Sequence, residues 1–172
     1  TSSGIEQSGD VLELYYTNFD NSRVSCFWES GKSPPPAYIE IDVNNCYFES
    51  CSDYAVSITN YPLYELQNNV ITNCEGGFDI SNSGNPKKCI ISDNNIHNNS
   101  GAGIWLHNSY ANICERNIIK NNYFGIVGLD NSSITMIGNT DYPHSTIKDN
   151  MHQELIFDTS SFPTKISYNK VI

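Results

Sequence analysis

The sequence predicts an all-β chain wound into a right-handed parallel β-helix, and three observations carry that prediction. One short phrase returns along the chain at steps of 23, 25, 23 and 28 residues. Each copy is followed by a short stretch in which apolar and polar residues alternate, the period of a strand. The composition is poor in helix formers and rich in Asn, Ser, Ile and Tyr, which favour turns and strands.

The phrase is an apolar anchor, any residue, then two small polar residues. It reads Phe48-Glu49-Ser50-Cys51, Ile71-Thr72-Asn73-Cys74, Ile96-His97-Asn98-Asn99, Ile119-Lys120-Asn121-Asn122 and Ile147-Lys148-Asp149-Asn150. A weaker copy precedes these at Phe19-Asp20-Asn21-Ser22, and a last one starts near the C-terminus, where Ile166 to Ile172 matches Ile90 to Ile96. The alternating strands are Val56-Ser57-Ile58, Phe78-Asp79-Ile80, Ile104-Trp105-Leu106, Ile126-Val127-Gly128 and Leu155-Ile156-Phe157. A third apolar element comes before each anchor: Ile39/Ile41, Leu66, Ile90, Ile113 or Ile134. Three short strands per repeat describe one coil, and the chain holds about six coils of roughly 23–28 residues. Leucine-rich repeats lack a counterpart here, because their Leu-x-x-Leu-x-Leu phrase is missing, and helical repeats would need a 3.6-residue period.

Coils of such a solenoid stack about 4.8 Å apart, so equivalent residues form columns. One column reads Cys51, Cys74, Asn99, Asn122, Asn150, and a second reads Cys46, Asn69, Asn94, Asn117. Asn in such a column accepts left-handed backbone geometry and passes amide hydrogen bonds from coil to coil. These asparagines are therefore expected to be structural. The six cysteines, Cys26, Cys46, Cys51, Cys74, Cys89 and Cys114, are read as buried thiols, with Cys51 stacked on Cys74.

The run Asn94-Asn95-Ile96-His97-Asn98-Asn99, leading on to Gly103-Ile104-Trp105-Leu106, resembles the parallel β-helix repeat of the pectate-lyase-like superfamily. The likeness is nearest to its divergent branch of secreted carbohydrate-binding and sugar-hydrolase-like proteins. It covers residues 38–172, within one domain spanning 1–172. The resemblance implies an extracellular, cell-surface or periplasmic location and a polysaccharide or glycan partner. It is specific for fold and not for chemistry, because function on a shared fold lies in particular sites.

Charge narrows the partners. A net charge of −10 with only nine scattered Lys and Arg argues against a nucleic-acid backbone. No run of about 20 apolar residues predicts insertion into a membrane. The chain opens at Thr1-Ser2-Ser3-Gly4 and ends mid-repeat at Val171-Ile172, which reads as a fragment of a longer protein. Further coils or another subunit are expected to cover the open C-terminal end.

Outward positions beside the strands supply the candidate site. One column runs Ser57, Asp79, Trp105, Val127, Ile156, and the next runs Thr59, Ser81, His107, Leu129, Asp158. Trp105 suits stacking on a sugar ring, with Asp79, His107 and Asp158 bonding its hydroxyls. The alternative is that Trp105, Val127 and Ile156 form an apolar stripe covered by something else. Insertions at Gly31 to Pro36, Asn60-Tyr61-Pro62, Asn82 to Lys88 and Asp130 to Ser133 are expected to rim this face, with a further one at Asn139 to Ser145.

Catalytic patterns are weak. The resemblance implies, for a lyase, an acidic calcium site and a basic residue on the outward face, yet Asp79 is the sole acid in its column and Arg23 and Arg116 lie elsewhere. Asn139-Thr140-Asp141 matches one phrase of polygalacturonase-like hydrolases whose other phrases are missing. Glu154 and Asp158 flank one strand, but a hydrolase needs two acids held about 5–10 Å apart. His97, His107, His144 and His152 show no zinc spacing, and no Cys-x-x-Cys pair occurs. Catalytic residues, metal and cofactor are therefore not assigned. The prediction is a carbohydrate-binding scaffold, with two rivals: a polysaccharide-degrading enzyme, which a cluster of three carboxylates would favour, and a purely structural stalk.

Overall fold

The computed structural model describes residues 5–8, 12–27, 40–84, 89–137, 145–167 and 170–171, and in them the chain is a solenoid of three parallel sheets. Sheet A stacks Ile5–Ser8, Val24–Phe27, Tyr54–Thr59, Gly76–Ser81, Ala102–His107, Phe124–Leu129 and Gln153–Phe157. Sheet B stacks Leu12–Tyr15, Glu40–Asn44, Leu63–Gln67, Cys89–Ser92, Tyr110–Ile113, Ser133–Ile137 and Phe162–Ser167. Sheet C stacks Asn18–Asp20, Tyr47–Glu49, Val70–Thr72, Asn95–His97, Ile118–Lys120, Thr146–Lys148 and Lys170–Val171. The chain visits A, B and C in turn, so each strand pairs only with its equivalents one coil away. The seven rungs per sheet extend the expected coils toward the N-terminus, where Phe19 pairs with Phe48 and their rings stack at 4.7 Å. Among the described residues no helix is long and apolar enough to cross a membrane.

The anchors form the inner wall of sheet C. Phe48, Ile71, Ile96, Ile119 and Ile147 pair in register and are fully buried. Each such side chain contributes about 1.5–3 kcal/mol by leaving water. Val56, Ile58, Phe78, Ile80, Ile104, Leu106 and Ile126 do the same for sheet A. On sheet B the expected inward residue Ile90 is wrong by one place. Ile90 is half-buried and pairs with Glu65, while Ile91 pairs with Leu66 and fills the core. The same slip affects the last copy: Val171, not Ile172, continues the anchor column, and Ile166 follows Met136. Two adjacent isoleucines offer both registers, and a period of two cannot choose between them.

Turn chemistry separates two jobs that the sequence reading gave to one residue. Left-handed positions include Asn45, Asn68, Asp93 and Arg116 at one corner, and Ser50, Asn73, Asn98, Asn121 and Asp149 at the next, with φ values of +54° to +60°. The residue immediately after each makes the ladder. Asn94 Oδ1 accepts the Asn69 N–H and side-chain N–H, each at 3.0 Å, and Asn117 Oδ1 serves Asn94 likewise at 3.1 Å. The parallel column runs from the Cys74 N–H to Asn99 Oδ1 at 2.9 Å, then to Asn122 and Asn150. A third ladder was not foreseen. Ser83, Ser109, Ser132 and Ser161 each accept the N–H of the residue one coil before, from Tyr61 through Ser132, at 2.9–3.2 Å. Among the described residues these ladders thus give buried N–H groups at all three corners a side-chain acceptor.

Glycine precedes Ile or Phe on sheet A because adjacent rungs meet too closely for a side chain. A Cβ on Gly77 would stand 2.2 Å from the Gly103 carbonyl oxygen, and one on Gly125 would stand 2.2 Å from that of Glu154. All six cysteines are free thiols, and Cys51 does stack on Cys74, whose Sγ accepts the Cys51 N–H at 3.3 Å. The insertion at Asn60 to Pro62 is not an open rim: Tyr61 is 1% exposed and belongs to the core. The insertions at Gly31 to Pro36 and at Asn139 to Ser145 fall almost wholly outside the described residues. So do Asn139-Thr140-Asp141, His144 and part of Asn82 to Lys88.

Candidate functional site

Sheet A presents the outward columns in the expected order. Ser57 pairs with Asp79, Asp79 with Trp105, Trp105 with Val127 and Val127 with Ile156. The next column pairs Thr59, Ser81, His107 and Leu129. Alternation along the strand turns Trp105 out while Ile104 and Leu106 stay in the core. Val127 is nonetheless 3% exposed, so the apolar stripe is covered there and opens toward Trp105.

Trp105 and Asp79 meet in a pocket of about 280 Å³, completed by Tyr54 and Glu75. Tyr54 and Glu75 were not anticipated. Tyr54 begins its strand and lies across the next coil because Gly76, its partner in register, has no side chain; a Cβ there would meet the ring at 2.2 Å. The signal in the sequence was that glycine, standing where other coils carry larger residues. Burial pushes the Tyr54 phenol up to about 12, helped by Asp79, Glu75 and Asp53. Asp79 is also raised, first by burial and then by Asp53, while Ser81 and His107 act in the opposite sense. Arg23 forms an ion pair with Asp53. An open groove of about 550 Å³ adjoins at the corner between sheets C and A, shares Glu75, and is lined by Cys51, Asn73, Cys74, Asn98 and Gly101 among others. Two aromatic rings beside two carboxylates offer a flat face and hydrogen-bond acceptors to a polyhydroxylated ligand.

The other two predicted residues are placed differently. His107 is next to this pocket on its strand but pairs with Asp130 at 2.7 Å. Asp158 lies on the last rung, where its carboxylate accepts the Asp130 N–H at 2.8 Å and the Ser160 N–H and hydroxyl at 3.1 and 2.9 Å. The Asp130 amide, then Ser161, hold it down at about 2. The structure therefore brings together Trp105 and Asp79, keeps His107 adjacent, and leaves Asp158 closing a turn.

A second cluster, which the sequence reading missed, lies on the outward face of sheet B. Carboxylate oxygens of Glu40, Asp42 and Glu65 stand within 4.8 Å of one another, a spacing that could hold a metal ion. Asp42 pairs in register with Glu65 on one side and Glu13 on the other. Its Oδ2 accepts the Tyr15 hydroxyl at 3.3 Å, and its Oδ1 is buried without a partner. Burial, then Glu40 and Glu65, push the Asp42 carboxyl up to about 6. Asp42 and Glu65 are one coil apart, so the repeat period is the signal in the sequence that aligns them.

The architecture and the comparison with known families agree. The family described as a right handed beta helix region matches residues 3–171, and the chain belongs to that family. No curated protein and no solved structure matches the chain.

Proposed function

We propose that the protein is a secreted or cell-surface β-helix scaffold that binds carbohydrate on the outward face of sheet A. The observation that carries this reading is the pocket joining Trp105 and Tyr54 to Asp79 and Glu75. Stacking on the rings supplies apolar contact, and the carboxylates accept hydroxyl hydrogen bonds that fix orientation. The parallel pairing of the strands that carry Tyr54, Asp79 and Trp105 supports it by setting the spacing of these side chains, which lowers the cost of binding.

The test is a titration of soluble polysaccharides followed by tryptophan fluorescence, with Trp105→Ala as control. A saturable change that the variant abolishes is expected. A change that survives in Trp105→Ala would place binding elsewhere, and none with any glycan would favour the structural stalk.

The enzyme rival keeps one specific support, the convergence of Glu40, Asp42 and Glu65. It would set polysaccharide cleavage on sheet B, away from the aromatic pocket. Product release from a bound glycan, lost in Glu65→Gln with binding intact, is the result that would favour it.

A further inference from the structure

The pocket on sheet A carries its own indication of ligand charge. Its lining residues, Tyr54, Glu75, Asp79 and Trp105, include two acids and no Lys or Arg. The nearby Arg23 is engaged by Asp53 in an ion pair, so these two charges offset one another and leave the pocket's own acids uncompensated by it. His107, the other group able to carry positive charge beside Asp79, is held by Asp130 at 2.7 Å. The whole chain adds a net charge of −10. A uronate ring seated on Trp105 would bring another carboxylate against the half-buried Asp79 and the exposed Glu75, where like charges repel, most at Asp79. An ammonium group in the same place would form charge-assisted hydrogen bonds to those carboxylates. It would also lie against the aromatic faces, which attract cations.

Resting on the carbohydrate reading above, we infer that the preferred ligand is a cationic amino-sugar oligosaccharide, seated with one ring on Trp105 and its ammonium between Asp79 and Glu75. The pocket volume of about 280 Å³ is at the small end of ligand sites, which run to about 1,000 Å³, and suits a single ring. The adjoining groove, which shares Glu75, gives the next ring a polar floor at Asn73 and Asn98.

The experiment is calorimetric titration of the full chain with three tetrasaccharides: β-1,4-linked glucosamine, its fully N-acetylated form, and galacturonate. Mildly acidic buffer keeps the amine protonated. The glucosamine tetramer is expected to bind about tenfold tighter than the acetylated one, and galacturonate not at all. Asp79→Asn should cost the glucosamine tetramer more affinity than the acetylated one and so erase the preference for the amine, and Trp105→Ala should remove binding of both. Circular dichroism checks that each variant is folded. Equal binding of the amine and acetylated forms, or preferential binding of galacturonate, overturns the charge inference and leaves the carbohydrate site standing. Glucosamine binding that persists unchanged in Trp105→Ala also overturns it, by assigning the attraction to net charge alone. Absence of binding to all three, by folded protein, overturns the carbohydrate reading and this inference together.

Discussion

The corners of the solenoid and the outward face of sheet A obey opposite rules. At the corners one residue type repeats from coil to coil: Asn69, Asn94 and Asn117 at one, Asn99, Asn122 and Asn150 at the next, Ser83, Ser109, Ser132 and Ser161 at the third. On the outward face nothing repeats, and Ser57, Asp79, Trp105, Val127 and Ile156 differ in size, charge and polarity. The corners are buried, so each peptide N–H there must find a partner, and Asn or Ser recurs as that partner, with Cys74 standing in for Asn at the Cys51 N–H and Ser145 at the Asn117 N–H. The face has no such demand. Repetition in this chain marks what holds the fold, and departure from repetition marks what is free to bind.

The largest effect should come from breaking a ladder. Asn117 donates to the Ile91 and Cys114 carbonyls at 3.0 Å and accepts from Asn94 at 3.1 Å, and Asn117 itself is fully buried. Asn117→Ala strands several buried groups at once, for a loss of about 3 kcal/mol, or roughly 6–12 °C in melting temperature. Thermal unfolding by circular dichroism measures it. A change near zero would mean that the ladder is ornament on a hydrophobic core.

Asp42 is the counter-example on an outward face, a charge placed at a cost. Its folded pKa of about 6 lies above the ordinary carboxylate value of 3.8, so between these two values the native state holds a proton that the unfolded chain has released. That contribution is fully present below the unfolded value and is lost as pH rises through the folded one. Asp42→Asn should therefore stabilise the protein near neutral pH, by on the order of 1 kcal/mol after allowing for solvent screening of a partly exposed group. It should change little at pH near 4. Denaturant unfolding at the two pH values checks this, and equal effects at both would contradict it.

The smallest effect tests whether the cysteines are irregular members of the ladder. Cys74 occupies the Asn99 column but offers only a sulfur to the Cys51 N–H. Cys74→Asn would supply an amide oxygen to Cys51 and an amide N–H to the next coil, as Asn99 Nδ2 does to Asn122 at 2.9 Å. A gain of up to about 1 kcal/mol is expected. Destabilisation would show that this end is shaped for sulfur.

What was legible in the sequence follows the same division. Anchors such as Ile96 and Ile119 recur with buried apolar neighbours, so their spacing alone placed sheet C, and strands like Ile104-Trp105-Leu106 placed sheet A. Ile90 and Ile91 defeated the reading because both are apolar and only burial distinguishes them. Serines 83, 109, 132 and 161 were missed because Ser is abundant throughout and carries no hydrophobic signal. Within the site, the pairing of Asp79 with Trp105 was readable from the period. Tyr54 and Glu75 were not, because they enter from strand ends and turns, where lateral reach across Gly76 decides the contact. The acids at 40, 42 and 65 needed the same column comparison on sheet B.

The most direct test of the division between fold and function is to measure melting temperature and glycan affinity together for Trp105→Ala. If the outward face binds and the corners hold the fold, melting should shift by no more than about 2–4 °C, the equivalent of roughly 1 kcal/mol, while affinity falls at least about tenfold. A large drop in melting temperature with affinity unchanged would contradict it, and would make Trp105 a packing residue under a covered stripe.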